Sequence, residues 1–334
     1  MKHINVALFV VHKGCPHMCS FCNQRSISGS QKEITPDEVH SAAKTAIASL
    51  TATEAAGGEI AFFGGSFTMV ERNYMISLLE AAYEYVSSGV FKGIRISTRP
   101  DGIDEEICGV LKRYGVTAVE LGAQSLDDRV LVLNERGHTA KQVEDAVKML
   151  KSHGFEVGLQ MMTGLYGSED SDSLETARRI VDMKPDTVRI YPTVVIKGTR
   201  LHELMLSGEF VPKGIDETAE LCAQLIPMFE VAGIRIIRLG LHSGGGVEED
   251  YAGGAYHPAL RELCEGRIYY NIALEKLRES GCGRYVLAVN KKEISKMTGQ
   301  KKENLLKLQS LGYDCTVKGQ DSMAKYEVAV IQDT

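Results

Sequence analysis

Three cysteines stand within eight residues near the start of the chain, in the segment GCPHMCSFCNQ. They are Cys15, Cys19 and Cys22. Thiolates this close together repel one another, so the spacing indicates that a bound metal holds them. Two thiolates are enough for a disulfide and four close a tetrahedral zinc site, whereas three leave one ligand position open.

Two kinds of metal site fit this loop. A zinc site needs a fourth ligand, which His12 or His17 could supply, but such sites normally draw their ligands from two separated elements. A cubic iron–sulfur cluster is normally held by four cysteines. With three, one iron stays open and can bind a small molecule and pass it an electron. The loop by itself leaves both metals open.

The segments around the loop predict how it is positioned. Seven β-rich runs alternate with amphipathic helical stretches over residues 1–242, and one helix is predicted to start at Thr35 as N-cap. Near-continuous apolar strands are typical of a parallel sheet covered on both faces. We predict an α/β fold with a partial (β/α)6 TIM-like barrel; a doubly wound open sheet is the alternative. In both, function lies at the carboxyl ends of the strands. The predicted strands are INVALFVVH, EIAFFGG, GIRISTR, AVELGAQ, EVGLQMMTG, TVRIYPTVV and IRIIRLGL.

The regular alternation of predicted strands and helices ends after residue 242. We predict a barrel over 1–242, a Gly-rich connector and helix over 243–283, and a small basic α+β module over 284–334. The last part reads as strand, helix, basic Gly turn, helix and two strands. The five cysteines outside the loop stand singly and are expected to be small core residues.

Composition limits the classes of function. The net charge of −6 argues against wholesale coating of nucleic acid, although residues 284–325 hold nine Lys or Arg and four Asp or Glu, a local charge of +5. No apolar run approaches the roughly 18 residues that a membrane span needs, and the first apolar stretch lacks a cleavage site. A cytoplasmic protein without a membrane partner is expected. In a reducing cytosol, clustered cysteines favour a metal or catalysis over disulfides.

The cysteine loop, with Phe21 just before its last cysteine, resembles the signature of the radical S-adenosylmethionine (SAM) enzymes. The resemblance implies a [4Fe–4S] cluster on Cys15, Cys19 and Cys22, with the open iron binding the amino and carboxylate groups of SAM. It also implies cleavage of SAM to a 5′-deoxyadenosyl radical, and an external electron donor such as flavodoxin or ferredoxin.

Motifs at further strand ends resemble the same superfamily. Gly64 and Gly65 match its Gly-Gly pair, whose backbone meets the amino group of SAM. Comparison with the oxygen-independent coproporphyrinogen oxidases and the Elongator catalytic subunit implies cofactor contacts at the ends of strands three to five. Arg136 and Gln124 suit a carboxylate and ribose hydroxyls. The cofactor-binding residues so implied are Gly64, Gly65, Ser66, Ser97, Gln124, Arg136 and Gln160.

Departures from the coproporphyrinogen oxidases favour the Elongator-like branch. Asn23 stands where those enzymes carry a further Cys, Ser97 where they carry a Glu, and Gln160 where they place an acid. The blocks STRPD, VELGAQS, RGHT, GLQMM and RIYPTVVIKGTRL instead resemble the Elongator catalytic subunit. The resemblance covers about residues 1–242, and no room for an acetyltransferase domain is expected after residue 250.

The basic tail offers a contact for RNA. The turn Gly-Gln-Lys-Lys at 299–302 lies between two predicted helices and resembles a degenerate KH module, in which such a turn clamps a nucleic-acid backbone. Lys301 and Lys302 could meet phosphates there. The alternative is a small α+β cap with a solvated basic helix start.

Together these features predict a radical SAM enzyme that modifies a base in RNA, most simply in tRNA. Tyr191, at a strand end, is the candidate catalytic residue, as a hydrogen-atom donor or part of the pocket; it could equally be an ordinary strand-end aromatic. The alternatives are a small-molecule radical oxidase of the coproporphyrinogen type and a non-catalytic metal-binding RNA protein.

Overall fold

The chain divides into two compact units. The computed structural model describes residues 4–10, 15–23, 32–241 and 246–333. The first unit comprises Met1–Pro212 and Phe229–Ala255, and the second comprises Lys213–Met228 and Tyr256–Thr334. These bounds differ from the three parts predicted from sequence, 1–242, 243–283 and 284–334. Those domain bounds stay a prediction. Among the described residues, no helix is both long enough and apolar enough to span a membrane.

The first unit is built on a seven-stranded parallel sheet that forms a curled, open half-barrel. Its strands are β1 (Asn5–Phe9), β2 (Glu59–Phe63), β3 (Gly93–Thr98), β4 (Val116–Gln124), β5 (Glu156–Thr163), β6 (Thr187–Pro192) and β8 (Arg235–Leu239). They lie in the order β1-β2-β3-β4-β5-β6-β8. Each strand follows its neighbour along the chain, which is the order of a barrel and not of a doubly wound sheet. The predicted TIM-like fold is confirmed, and all seven predicted segments contribute a strand.

Helices connect the strands, and their starts are set by local sequence. The first, α1 (Pro36–Ser49), begins as predicted at Thr35, whose hydroxyl accepts a hydrogen bond from Glu38 N while the Glu38 carboxylate accepts one from Thr35 N at 2.7 Å. The other helices that belong to this unit are α2 (Ala52–Gly57), α3 (Arg72–Ser87), α4 (Glu105–Arg113), α5 (Asp128–Leu133), α6 (Ala140–Ser152), α7 (Asp170–Met183), α8 (Arg200–Leu206) and α10 (Val247–Asp250). Residues of α9 (Ile215–Val231) belong to both units.

The two faces of the sheet differ, which the prediction of near-continuous apolar strands missed. On β3, Ile94 and Ile96 are fully buried on one face, while Arg95 alternates with them on the other. Arg95 Nε donates to Glu59 Oε2 at 2.7 Å and Arg95 Nη2 donates to Glu156 Oε1 at 2.9 Å. One face therefore carries buried ion pairs, because charged side chains on neighbouring strands satisfy one another there.

The predicted strand TVRIYPTVV is divided into two. β6 ends at Pro192, and β7 (Val194–Ile196) leaves the parallel sheet to pair antiparallel with β9 (Tyr251–Gly254). Between them, Thr193 N and Thr193 Oγ1 both donate to Thr163 O, at 2.9 and 2.8 Å. These bonds to the last residue of β5 hold the chain where it turns away.

The second unit is a small α+β module, as predicted. It contains α11 (Leu260–Ser280), β10 (Gly283–Asn290), α12 (Ile294–Thr298), α13 (Glu303–Ser310), β11 (Tyr313–Gln320) and β12 (Ala329–Gln332). The sheet order is β11-β10-β12, with β10 parallel to β11 and antiparallel to β12. The helix predicted within the connector, α11, packs Tyr269, Ala273 and Leu277 against β10 in the core of this unit. Cys264 and Cys315 are buried there as expected, whereas Cys282 is exposed.

Candidate active site

The three cysteines lie close together. Cys19 is buried, and Cys15 and Cys22 are half-buried. Cys22 N donates to Cys19 O at 3.0 Å, so the end of the loop is a tight turn. Burial, and then the neighbouring Cys19 and Cys15 thiols, raise the pKa of Cys22 to about 12. Without a cation Cys22 therefore stays a thiol at neutral pH, and a bound metal supplies the charge that lets it ionise.

The loop is fastened by Ser20 and Phe21, the two residues before its last cysteine. Ser20 Oγ donates to Asn134 Oδ1 at 2.8 Å, and Ser20 N donates to Asn134 O at 3.2 Å. On the other side, Leu201 N donates to Ser20 O at 2.8 Å. The partly buried Phe21 ring packs against a buried apolar cluster. That cluster consists of Val195, Leu201, Leu204 and Phe210.

The donor set of three thiols is one that a cubic iron–sulfur cluster can use. Within the described part of the chain, no group of three or more His, Cys, Asp or Glu side chains is already placed to hold a metal ion. The exposed His17 ring lies against Gly137, and His12 falls outside the described residues. A cubic cluster binds each thiolate through a different iron, so its sulfur ligands need not converge on one point. Three neighbouring thiols in a fastened loop meet that requirement.

The Gly-Gly pair follows β2, at the carboxyl end of the sheet. Gly64 and Gly65 have φ of 81° and 46°, in the left-handed region that favours glycine. A Cβ on Gly64 would lie 3.2 Å from Val10 O, so the backbone packs closely on the chain that leads to the cysteine loop. Ser66 is fully buried, and its hydroxyl is 2.8 Å from Thr98 Oγ1. Ser66 therefore ties β2 to β3, and its predicted contact with SAM stays a prediction.

Gln124 and Arg136 converge at the end of β4. A Cβ on Gly122 would lie 3.0 Å from Gln124 Nε2 and 3.3 Å from Arg136 Nη2, so both side chains cover that glycine. Arg136 Nη1 donates to Cys19 Sγ at 3.1 Å and Nη2 donates to Gly122 O at 2.6 Å. Both residues are more than nine-tenths buried, yet Gln124 Oε1 and Arg136 Nε have no hydrogen-bond partner. An unused acceptor and an unused donor beside the cysteines fit a polar ligand.

Ser97 and Gln160 also come together. Gln160 Nε2 donates to Ser97 Oγ at 3.3 Å and to Glu120 Oε2 at 3.1 Å. The predicted pair is thus joined through its own hydrogen bonds, and a contact of either residue with SAM remains a prediction. Glu120, fully buried in the middle of β4, was missed by sequence reasoning. Its signal is an acidic residue inside the apolar run AVELGAQ.

Tyr191 lies in the same polar interior. Arg189 donates to both carboxylate oxygens of Glu120, at 2.8 Å from Nη2 to Oε1, and Arg189 Nη1 lies 3.4 Å from the Tyr191 hydroxyl. Burial raises the pKa of Tyr191, and the Arg189 guanidinium opposes that rise. The side chain therefore stays a neutral phenol at physiological pH. Because Arg189 occupies an acceptor position, the phenol O–H can donate elsewhere.

Lys301 and Lys302 lie in the second unit, in the turn between α12 and α13. Both are exposed, with φ of 50° and 65°. The turn needs a glycine at position 299, because Gly299 has a φ of 76° and a Cβ there would lie 2.9 Å from Asn304 N. Asn304 Nδ2 lies within 3.1 Å of three backbone carbonyl oxygens of α11 and α12 and shares its two N–H groups among them, which fixes the start of α13. The turn is therefore held by Gly299 and Asn304 and presents two lysines to solvent.

Comparison with known proteins decides the family. The model of the Radical SAM superfamily matches residues 9–180, which contain the cysteine loop, the Gly-Gly pair, Gln124 and Arg136. The chain belongs to the Radical SAM superfamily. A second model, the Radical_SAM C-terminal domain, matches residues 185–270. Enzymes of this superfamily use a [4Fe–4S] cluster and SAM, which agrees with the donor set described above.

Within the superfamily, two curated relatives show which proteins this radical SAM chain resembles. A tRNA uridine(34) acetyltransferase of Methanocaldococcus jannaschii is 36% identical over 129 residues, which cover 38% of this chain and 24% of that protein. Human Elongator complex protein 3 is 30% identical over 235 residues, covering 63% of this chain and 41% of that protein. The radical SAM chain thus spans between a quarter and about two fifths of the length of these relatives, and the predicted Elongator-like resemblance is confirmed.

Solved structures agree on the radical SAM fold. The archaeal Methanocaldococcus infernus Elp3 with an N-terminal deletion superposes with a TM-score of 0.63 at 24% identity, covering 82% of this chain and 63% of that chain. Streptococcus suis SuiB bound to S-adenosylmethionine superposes with a TM-score of 0.51 at 12% identity, covering 72% of this chain and 47% of that chain. At these identities the likeness concerns the fold.

Proposed function

We propose that this radical SAM chain binds its [4Fe–4S] cluster through Cys15, Cys19 and Cys22 and uses it to modify a base in tRNA. Cys15, Cys19 and Cys22 would hold the cluster, which when bound would pass one electron from an external donor to SAM for its cleavage to methionine and a hydrogen-abstracting 5′-deoxyadenosyl radical. The observation that carries this proposal is the unused Gln124 Oε1 and Arg136 Nε beside the three neighbouring thiols. A cytoplasmic location and a flavodoxin- or ferredoxin-type electron donor are part of the same proposal.

The SAM site is proposed along the carboxyl ends of β2 to β5. The partly buried peptide groups of Gly64 and Gly65 suit the amino group of SAM, since no Cβ limits a close approach. Arg136 suits its carboxylate, because a guanidinium offers directed donors, and Gln124 suits the ribose hydroxyls. Ser66, Ser97 and Gln160 complete the proposed set: Ser66 follows β2, Ser97 lies near the end of β3 and Gln160 lies within β5.

For tRNA as the substrate, the support comes from relatives and from the second unit. The archaeal relative is a tRNA uridine(34) acetyltransferase. Lys301 and Lys302 stand exposed on the turn that Asn304 holds, where they are proposed to meet backbone phosphates. Tyr191 is the proposed catalytic residue, because its phenol O–H lies in the polar interior of the half-barrel and can donate to a substrate.

The chemistry is tested by anaerobic reconstitution with iron and sulfide, followed by dithionite and SAM. We expect about four irons per chain, a brown absorption near about 400 nm and release of 5′-deoxyadenosine. Cys19→Ala should lose the absorption and the product, whereas the exposed Cys282→Ala should keep both. Bound zinc in place of iron, or a full cluster that yields no 5′-deoxyadenosine, would contradict a catalytic radical SAM site.

The substrate is tested by binding of the full chain to tRNA over a range of salt concentrations. We expect Lys301→Glu with Lys302→Glu to weaken binding and to reduce the slope of log Kd against log salt by about 2, one for each lost phosphate contact. The control is Lys44→Glu with Lys148→Glu, two exposed lysines of the first unit. No tRNA retention at moderate salt would favour a small-molecule radical oxidase.

A further inference from the structure

The segment Arg136–Gly137–His138 joins the cysteine loop to the end of β4. Arg136 reaches Cys19 Sγ at 3.1 Å and Gly122 O at 2.6 Å. Two residues later, His138 Nε2 lies 3.2 Å from Ala123 O. Gly137, at a φ of 69°, allows the chain to place these two side chains on successive carbonyls of one strand.

The peptide that His138 contacts is the unusual part of β4. The register between β4 and β5 shifts between Gly122 and Gln124, so Ala123 stands outside the regular ladder. Gln124 then has a φ of 64°, in the left-handed region that a non-glycine residue seldom adopts. Ala123 O accepts two hydrogen bonds in place of the ladder, from Ser125 N at 2.8 Å and from His138. The strained conformation is thus held by its surroundings.

The chemistry of His138 suits a constant donor. A carbonyl oxygen only accepts, so the bond to Ala123 O requires the proton of the neutral ring on Nε2. His138 is buried, and its Nδ1 has no hydrogen-bond partner. Burial, with the nearby Arg136 and Arg99, lowers the pKa of His138 to about 3. The ring therefore stays neutral, and its single N–H remains on the carbonyl at physiological pH.

We propose that His138 is a positioning residue for the binding of SAM. It holds the Ala123–Gln124 peptide so that the Gln124 side chain stays over Gly122 beside Arg136, with Oε1 free for the ligand. His138 acts through Gln124 and does not touch SAM. This inference rests on the proposed function, since it assumes that Gln124 binds SAM.

The test is the equilibrium affinity for SAM, measured by calorimetry on the full chain with a reconstituted cluster. His138→Phe keeps a ring in the buried site and removes the donor, and it should weaken binding about tenfold with unchanged iron content. His138→Gln places an amide N–H near the position of Nε2 and should restore most of the affinity. His153→Ala is the control: this histidine lies at the end of α6, where its Nδ1 is 2.9 Å from Met149 O.

A double-mutant cycle separates positioning from general damage to the fold. Gln124→Ala should weaken SAM binding, and adding His138→Phe to it should cause little further loss, because His138 acts through the side chain that is already gone. An equal tenfold loss in both backgrounds, or wild-type affinity in His138→Phe, would refute the positioning role of His138. Neither result would refute the proposed function. A wild-type chain with a full cluster that binds no SAM would refute the proposed function, and the inference with it.

Discussion

Replacing Arg95 by Met should destabilise the first unit more than any change of a surface charge. Arg95 is 1% exposed and lies among three carboxylates, with Glu59 at 2.7 Å, Glu156 at 2.9 Å and Glu120 at 3.6 Å. Methionine fills a similar volume without a charge, so the packing changes little. The main effect is that buried carboxylates lose their central cation.

The magnitude follows from what remains after the change. Removing one partner of a buried ion pair typically costs about 3–5 kcal/mol. Glu120 keeps its two hydrogen bonds from Arg189, and Glu59 keeps Lys92 at 3.4 Å, although that lysine is partly exposed. The cost should therefore lie near the lower end, at about 3 kcal/mol in the free energy of unfolding. For a unit of this size that lowers the melting temperature by about 6–12 °C.

Differential scanning calorimetry at neutral and acidic pH checks this estimate. Burial tends to raise the pKa of Glu156, but the hydrogen bond and charge of Arg95 outweigh it and hold that pKa below its ordinary value. Such a group stabilises the fold above its unfolded pKa, and the stabilisation is lost as the pH falls through the folded pKa. The difference between wild type and variant should therefore shrink between about pH 5 and pH 3.

A matched control uses an exposed pair. Arg178→Met removes the partner of Glu175, which lies at 2.8 Å on the surface of α7, and should change the free energy of unfolding by less than about 0.5 kcal/mol. An Arg95→Met variant that melts within about 2 °C of this control would refute the view that the buried ion pairs hold the half-barrel. A difference that grows on acidification would refute the assignment to Arg95 and its carboxylates.

Three further changes test the site and the second unit. Gly122→Ala would place a Cβ 3.0 Å from Gln124 Nε2, so SAM affinity should fall about tenfold or more while the melting temperature stays within a few degrees. Unchanged SAM affinity in calorimetry would contradict the convergence of the Gln124 and Arg136 side chains on Gly122. Phe21→Ala removes the ring that fastens the cysteine loop, so the iron bound after reconstitution should fall well below that of wild type in a colorimetric iron assay, and full iron content would show that the ring is dispensable. Asn304→Ala leaves three backbone carbonyls without their side-chain donor and should cost about 1–3 kcal/mol in urea unfolding, whereas a loss below about 0.5 kcal/mol would contradict the role of that amide.

The sequence was sufficient where the determining interactions are local. The start of α1 at Thr35 depends on a hydroxyl and a carboxylate three residues apart, and both are visible in the sequence. The order of strand, helix, glycine turn and helix in the second unit likewise follows from periodicity around Gly299. The cysteine spacing indicates a metal without any knowledge of the fold, because repulsion between neighbouring thiolates is a property of the loop itself.

The sequence was insufficient where partners come from separate strands. Arg95 and Glu120 each interrupt an apolar run and Glu59 begins one, but nothing within one run tells which charges will meet. Their pairing follows from the register of a parallel sheet, in which Ala61 faces Arg95 and Ser97 faces Glu120. The strand TVRIYPTVV was divided for the same reason, since Thr193 bonds to the end of a different strand.

Glu120 shows how strand register builds the interior of the half-barrel. It accepts hydrogen bonds from Arg189 and Gln160, and these two residues are direct partners in the ladder between β5 and β6. Arg189 in turn reaches Tyr191, and Gln160 reaches Ser97. Because each of these side chains stands on a strand, their spacing is set by backbone pairing and changes little with the loops. A single buried carboxylate therefore couples the proposed catalytic tyrosine to the stability of the sheet that carries it.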